Sequence, residues 1–248
     1  MLVRFSNATG VPTIADADGN ALPKGMAIRF TLPEGGNTDI VAISVNSFPV
    51  ATPEEFLELL NAVAESGPDV ASPKPVEKFL ASHPAAMKFV TTPKFAPTSF
   101  AHQPFFGVNA FKFTNAKGET RHGRYRIIPV AGEQFLASED ASKQEPDYLM
   151  KELPTRLSKK EAQYRLVVQL ANAEDLINDP TVVWADDREQ VELGVLTIKS
   201  MVADSMQAEK SIMFNPLLLP EGIAATDDPI LLARPGAYAV SFGRRVGQ

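Results

Sequence analysis

Short runs of alternating hydrophobic and polar residues dominate the first part of the chain. Residues 26–32 (Met-Ala-Ile-Arg-Phe-Thr-Leu) and 39–45 (Asp-Ile-Val-Ala-Ile-Ser-Val) are apolar and partly alternating, the pattern of strands. Gly35-Gly36-Asn37 between them is a turn signal. The opening residues Met1-Leu2-Val3-Arg4-Phe5-Ser6 also read as a strand.

The period then changes. Thr52-Pro53-Glu54-Glu55 is a helix start, with an N-cap threonine, proline at the first helical position and glutamate at the third. Phe56, Leu59, Leu60 and Val63 follow at helical spacing. Residues 66–75, rich in Pro, Gly, Ser and Asp, read as a loop, and a second helical stretch runs over about 76–83. Strands return over 106–113 and 123–130, joined by Asn115-Ala116-Lys117-Gly118. A helix is predicted over 147–156 and later strands over 164–170 and 194–198. The tail from Phe214 starts extended and ends in a short helix carrying Arg234, Tyr238, Arg244 and Arg245, with Arg234-Pro235 as its entrance. Asp227 and Asp228 precede it as capping candidates. Seven or eight short strands with helical insertions predict an α+β chain built on a closed or nearly closed antiparallel β-barrel. No composition shift divides residues 1–248, so they read as one domain.

Composition narrows the chemistry. The net charge of −6 argues against nucleic acid as a partner. The absence of cysteine removes disulfides, iron–sulfur clusters, thiolate metal sites and cysteine nucleophiles. No apolar run approaches the ~20 residues of a membrane span, and no signal peptide is read. The expectation is a soluble protein, with a cytoplasmic or periplasmic location left open.

The three histidines, His83, His102 and His122, show no metal-binding spacing and read as packing or surface residues, His122 as solvated. There is no nucleophile-elbow or phosphate-loop motif. The pairs Glu54-Glu55, Asp186-Asp187 and Asp227-Asp228 are adjacent and do not share a helix face. Arg234 and Tyr238 are different: at i and i+4 on a helix they share one. They can be a stacked surface pair. They can also be a phenol whose anionic form a guanidinium favours, and tyrosinate is one of the few protein ligands of haem iron.

Ordered motifs along nearly the whole chain carry a resemblance. Val3-Arg4-Phe5-Ser6-Asn7-Ala8-Thr9-Gly10 resembles the strand that follows the catalytic histidine of catalases. Pro23-Lys24-Gly25-Met26-Ala27-Ile28-Arg29-Phe30, Thr38-Asp39-Ile40-Val41 and Asn46-Ser47-Phe48-Pro49-Val50 continue the pattern. Asn109-Ala110-Phe111-Lys112-Phe113-Thr114-Asn115-Ala116-Lys117-Gly118, Asp179-Pro180-Thr181-Val182-Val183-Trp184, Phe214-Asn215-Pro216 and Gly222-Ile223 follow. Arg234-x-x-x-Tyr238, with Arg245 beyond it, closes the series. The chain is similar to the catalase superfamily, and most to its small catalase-related peroxidases.

That resemblance implies a catalase-like barrel with a C-terminal haem-ligand helix, holding haem b. Tyr238 matches the axial ligand of the haem iron, and Arg234 the arginine that keeps the phenol ionised. Arg4 and Arg245 match propionate-binding arginines, and Ser6 the serine that orients the distal histidine. The distal histidine is implied some tens of residues before the strand at Val3–Ser6. The chain is therefore expected to be N-terminally incomplete, to start downstream of that residue, and to be impaired as written. The distal asparagine of large catalases falls near Ser66, and Asn61 does not align with it. The implied activity is a haem peroxidase or catalase acting on hydrogen peroxide or organic peroxides in the response to oxidative stress. Its partners would be the peroxide and a small organic reductant, and a homo-oligomer is left open. An enzyme acting on lipid hydroperoxides and a non-catalytic haem-binding barrel are the alternatives.

Overall fold

The computed structural model describes residues 1–9, 11 and 13–247, so Gly10 of the first motif lies outside the described residues. The chain begins with β1 (Leu2–Asn7), β2 (Lys24–Thr31) and β3 (Asn37–Ile43), then the helices α1 (Pro53–Ala64), α2 (Pro75–Ser82) and α3 (Pro84–Thr91). β4 (Phe105–Phe106), β5 (Phe111–Thr114), β6 (Thr120–Pro129), α4 (Ser138–Ala141), α5 (Tyr148–Leu157), β7 (Ala162–Leu170) and β8 (Gln190–Ile198) follow. The last elements are α6 (Ser205–Ser211), β9 (Ile223–Ala225) and α7 (Pro229–Val246).

All the strands join one antiparallel sheet. β1, β2 and β3 form a meander, β3 meets β4 at Ile43 and Phe106, and β4 and β5 both pair with β6. β7 takes the other edge of β6, β8 pairs with β7, and β9 pairs with β5. The sheet curls until its two ends meet through the interior. The Phe5 ring of β1 stacks on Phe100 at 4.7 Å and lies 6.4 Å from Tyr164 of β7. Phe5, Ile28, Phe100, Phe105, Ile127 and Tyr164 sit in this main core. Among the described residues β1 and β8 are not hydrogen-bonded to each other, so the curl is open along that seam. This is the α+β, barrel-like arrangement that the strand pattern predicts.

A second cluster of Val50, Phe79, Ala86 and Ile230 ties α1, α2 and α3 to the start of α7. Both halves of the predicted capping box of α1 are present, from Glu55 N–H to Thr52 Oγ1 and from Thr52 N–H to Glu55 Oε2, at 3.3 Å each. Phe56 and Leu59 pack on the second cluster, whereas Leu60 and Val63 remain about half exposed at 50% and 54%.

Two sequence expectations change. The strand predicted over 106–113 is two strands, interrupted at 107–110. Gly107 N–H bonds the Tyr125 carbonyl at 2.8 Å there, and a Cβ on Gly107 would meet Tyr125 Cβ at 3.2 Å, so the chain bends in close to β6. The break leaves Asn109 outside the ladder. The C-terminal helix begins at Pro229, not at Arg234-Pro235, because Asp228 caps it and Pro229 supplies its first residue. Pro235 lies inside the helix, which gives up one backbone hydrogen bond there.

The loop between β1 and β2 is held by a buried cation. The Lys24 ammonium is fully buried and donates to Asn7 Oδ1 at 2.7 Å and to the carbonyls of Asp16 and Ala21 at 2.6 Å each. Asp16 in turn accepts from Asn7 Nδ2 and from the Leu149 N–H of α5, both at 2.9 Å. Burial pushes the Lys24 pKa down to about 8. Replacing Lys24 by Met keeps the stem but strands three buried acceptors, so Lys24→Met is expected to cost about 3 kcal/mol in urea unfolding. A loss below about 1 kcal/mol would show that the cage does not anchor β1.

Candidate functional site

Successive side chains of a strand point to opposite faces. On β1 this sends Phe5 into the main core and Arg4 and Ser6 to the other face. That face is covered by the segment leading to α7. Asp39 of β3 takes both donors of Arg29, Nε at 2.8 Å and Nη2 at 2.6 Å. The same carboxylate accepts the Asn215 N–H at 2.8 Å, and Arg29 Nη2 donates to the Met213 carbonyl at 2.6 Å. Phe214 is thereby held against two guanidinium groups, its ring centroid 5.1 Å from that of Arg4 and 5.4 Å from that of Arg29.

α7 carries the other half. Arg234 Nε donates to Tyr238 Oη at 3.0 Å, the i to i+4 contact that the spacing predicts. The guanidinium carbon also lies 5.5 Å from the Tyr238 ring centroid. Arg234 Nη1 donates to Asn109 Oδ1 at 2.6 Å. Asn109 Nδ2 donates to Asp228 Oδ2 at 2.7 Å, and Asp228 Oδ1 accepts the N–H groups of Ile230 and Leu231. Asn109 and Asp228 are 2% and 0% exposed, so the inner end of this chain of bonds is shielded from water, while Arg234 and Tyr238 are half-buried. The Tyr238 oxygen thus accepts from a cationic donor.

Arg245 lies seven residues beyond Tyr238, about two helical turns further along α7. Its Nη1 and Nη2 donate to the carbonyls of Glu209 at 2.8 Å and Ile212 at 3.2 Å. Among the described residues its Nε is buried without a partner, as are Arg4 Nε and, on β6, Arg124 Nε. Burial holds the Arg4 guanidinium below its ordinary pKa; Glu209 and Tyr238 oppose the shift, and Arg245 adds to it. Arg4, Tyr238 and Arg245 are thus within electrostatic reach of one another. Unpaired N–H groups on buried cations are what a carboxylate ligand satisfies. Arg244 is exposed. Ser6 shares the face of Arg4 and lies against Gly25, where a Cβ would come within 2.8 Å of its hydroxyl. Ser6 makes no hydrogen bond to α7 among the described residues.

The histidines are engaged elsewhere. His83 stacks on Phe79 at 3.8 Å, His102 is buried with Nδ1 2.8 Å from the Gly132 carbonyl, and His122 is half-buried on β6 rather than fully solvated. An open groove of about 480 Å³ runs along α5, lined by Tyr148, Lys151, Arg156 and Lys159 among others. It contains none of the site residues; the β1–α7 junction is the candidate site because, among the described residues, it holds two of the three unpaired buried Nε groups, those of Arg4 and Arg245, together with Tyr238, the third being Arg124 Nε beside Trp184. No helix among the described residues is long and apolar enough to cross a membrane. Asn109 and Asp228 are the residues whose joint part in the site sequence reasoning missed. Each stood in a motif or capping position, but nothing in the sequence pairs two residues 119 positions apart.

Comparison with known proteins gives the family and the fold. A sequence model of the catalase family matches residues 1–248. A catalase-related peroxidase of Mycolicibacterium paratuberculosis is 32% identical over 249 residues, covering 99% of this chain and 78% of the relative. A catalase-related peroxidase of Synechococcus elongatus is 32% identical over 250 residues, covering 99% and 73%. Among solved structures, a fungal catalase superposes with a TM-score of 0.85 at 23% identity, over 99% of this chain and 52% of that one. A bacterial catalase superposes at 0.84 with 23% identity, over 98% and 50%. The chain thus spans about half the length of the solved catalases that it matches.

A buried guanidinium with an unpaired Nε burdens the ligand-free fold. Arg4→Met is therefore expected to raise the stability of the ligand-free chain by about 1 kcal/mol. That corresponds to a rise of about 2–4 °C in Tm, read by thermal unfolding. A fall in Tm would mean that Arg4 already has its full set of partners without a ligand.

Proposed function

The chain belongs to the catalase family, a family of oxidoreductases, and on that premise we propose that it holds haem b at the β1–α7 junction and breaks down hydrogen peroxide or organic peroxides. The observation that carries the reading is the Arg234 Nε to Tyr238 Oη bond of 3.0 Å, set beside two half-buried arginines, Arg4 and Arg245, whose Nε atoms are buried and unpaired among the described residues.

The donor set fits the cofactor. Tyr238 offers an anionic oxygen to the iron, and tyrosinate is an established haem ligand. Arg234 holds that oxygen from the side and stabilises its charge. Among the described residues Arg4 makes no hydrogen bond and Arg245 leaves its Nε unpaired, so both would have N–H groups to offer a propionate. When bound, haem supplies the redox couple through which the oxygen–oxygen bond of a peroxide is broken. The residues of this chain bind and orient it. Phe214 covers the Arg4 guanidinium and limits access of water to it. Ser6 Oγ is the hydroxyl on that face suited to orient a proton-transferring imidazole, while His83 and His102 are committed to other contacts and His122 lies on β6. In a cell, such a protein would remove peroxide during oxidative stress, with a small organic reductant as a further reactant.

The test is the absorption spectrum of the chain loaded with ferric haem. One equivalent of haem with a phenolate-ligated ferric spectrum is expected, and Tyr238→Phe should abolish that spectrum. Arg4→Met and Arg245→Met should each weaken haem affinity by about ten-fold, the loss of one charge-assisted hydrogen bond. A spectrum indifferent to Tyr238→Phe would overturn the reading.

A further inference from the structure

We propose that α6 is a latch on the arginine pair, and that Glu209 is an internal competitor of the anionic ligand that Arg4 and Arg245 would take. It rests on the reading of these two arginines as a carboxylate site, and adds a contact that the ligand must displace.

α6 is a thin element. Its seven residues run from Ser205 to Ser211 behind the Asp204 cap, and none of them is buried. Met206 is 79% exposed. So short a helix does not stand by itself, and its attachments decide where it lies. One is downstream, where Met213 and Asn215 are fixed to Arg29 and Asp39. The other is Arg245. A helix ends in carbonyls that have no partner inside it, and a basic side chain is suited to take them. Arg245 Nη1 donates to the Glu209 carbonyl at 2.8 Å and Nη2 to the Ile212 carbonyl at 3.2 Å.

Those bonds leave the arginine half committed. A carboxylate grips a guanidinium through two parallel N–H groups. Arg29 shows the form within this chain, with Nε and Nη2 on the two oxygens of Asp39. On Arg245 the Nε is unspent among the described residues, but Nη2, its neighbour in that fork, is held by Ile212 through the longer of the two bonds. A carboxylate that binds in the same way has to take Nη2 from the end of α6.

Glu209 opposes the same ligand by charge. After burial, which holds the Arg4 pKa down, the group that acts most on Arg4 is the Glu209 carboxylate, which favours the cation. Glu209 is exposed, so this effect is modest and screened by salt. One residue thus answers both arginines, with its side-chain charge toward Arg4 and its carbonyl on Arg245. Binding of a carboxylate and docking of α6 are then alternatives, and each weakens the other by the same factor.

Hydrogen–deuterium exchange of residues 204–213 in the full chain tests the latch. In the ligand-free chain Arg245→Met should speed exchange by about ten-fold, the loss of charge-assisted bonds. Arg4→Met, which removes no bond to α6, should not. Ferric haem should speed the same amides, and haem dimethyl ester, bound to the same extent but without propionate charges, should not. Titration with haem tests the competitor. Glu209→Gln should tighten binding by about three-fold at low salt, with the gain fading at high salt. Lys210→Gln on the same helix should not tighten it.

Exchange unchanged in Arg245→Met, or slowed by haem, overturns the latch. Affinity unmoved by Glu209→Gln, or raised equally by Lys210→Gln, overturns the part given to Glu209. Failure of haem to bind sinks the proposed function and this competition together. A spectrum indifferent to Tyr238→Phe sinks the proposed function alone, because haem against its ester reads the propionates and not the iron.

Discussion

A fully buried carboxylate joins the last helix to the sheet, and the site depends on that joint. Asp228 ends the strand-like approach from β9, caps α7 through two backbone N–H groups and reaches Asn109 in the break between β4 and β5. Without the cap, α7 has no fixed start, and the angular positions of Arg234 and Tyr238 follow from that start at 3.6 residues per turn. Without the break in the sheet, Asn109 would sit in the ladder and could not face α7.

The charged groups that anchor β1 and the approach to α7 have their partners within the fold. Lys24 has three acceptors for its three protons, and Arg29 meets Asp39 through two bonds. These groups hold β1 and the 213–218 segment in place. Arg4 and Arg245 stand on the elements so held, each with a donor unspent. A fold optimised only for stability would pair or replace them.

Much of the architecture was legible because it follows local rules. The alternation over 26–32 and 39–45 marks β2 and β3, and the Thr52-Pro53-Glu54-Glu55 cap marks α1 nearly to the residue. The start of α7 was misplaced because two proline signals, Pro229 and Pro235, compete, and only the Asp228 hydrogen bonds decide between them. α3 went unread because it follows α2 across the single residue His83, so one helical pattern covers both. At the site, the i to i+4 spacing shows that Arg234 and Tyr238 can meet, but the part given to each residue came from family resemblance. The link from Arg234 through Asn109 to Asp228 depends on tertiary contacts across 125 and 119 positions, which no local pattern encodes.

The two walls of the site come from opposite ends of these residues, β1 and α7. During synthesis the first wall leaves the ribosome long before the second exists. Until α7 docks, Arg4 is a lone cation on an exposed strand face, with neither Tyr238 nor Arg245 beside it. On the proposed reading, capture of a cofactor would be a late event in the life of the chain, conditional on the synthesis of α7, and a chain broken off before α7 would lack one wall of the site.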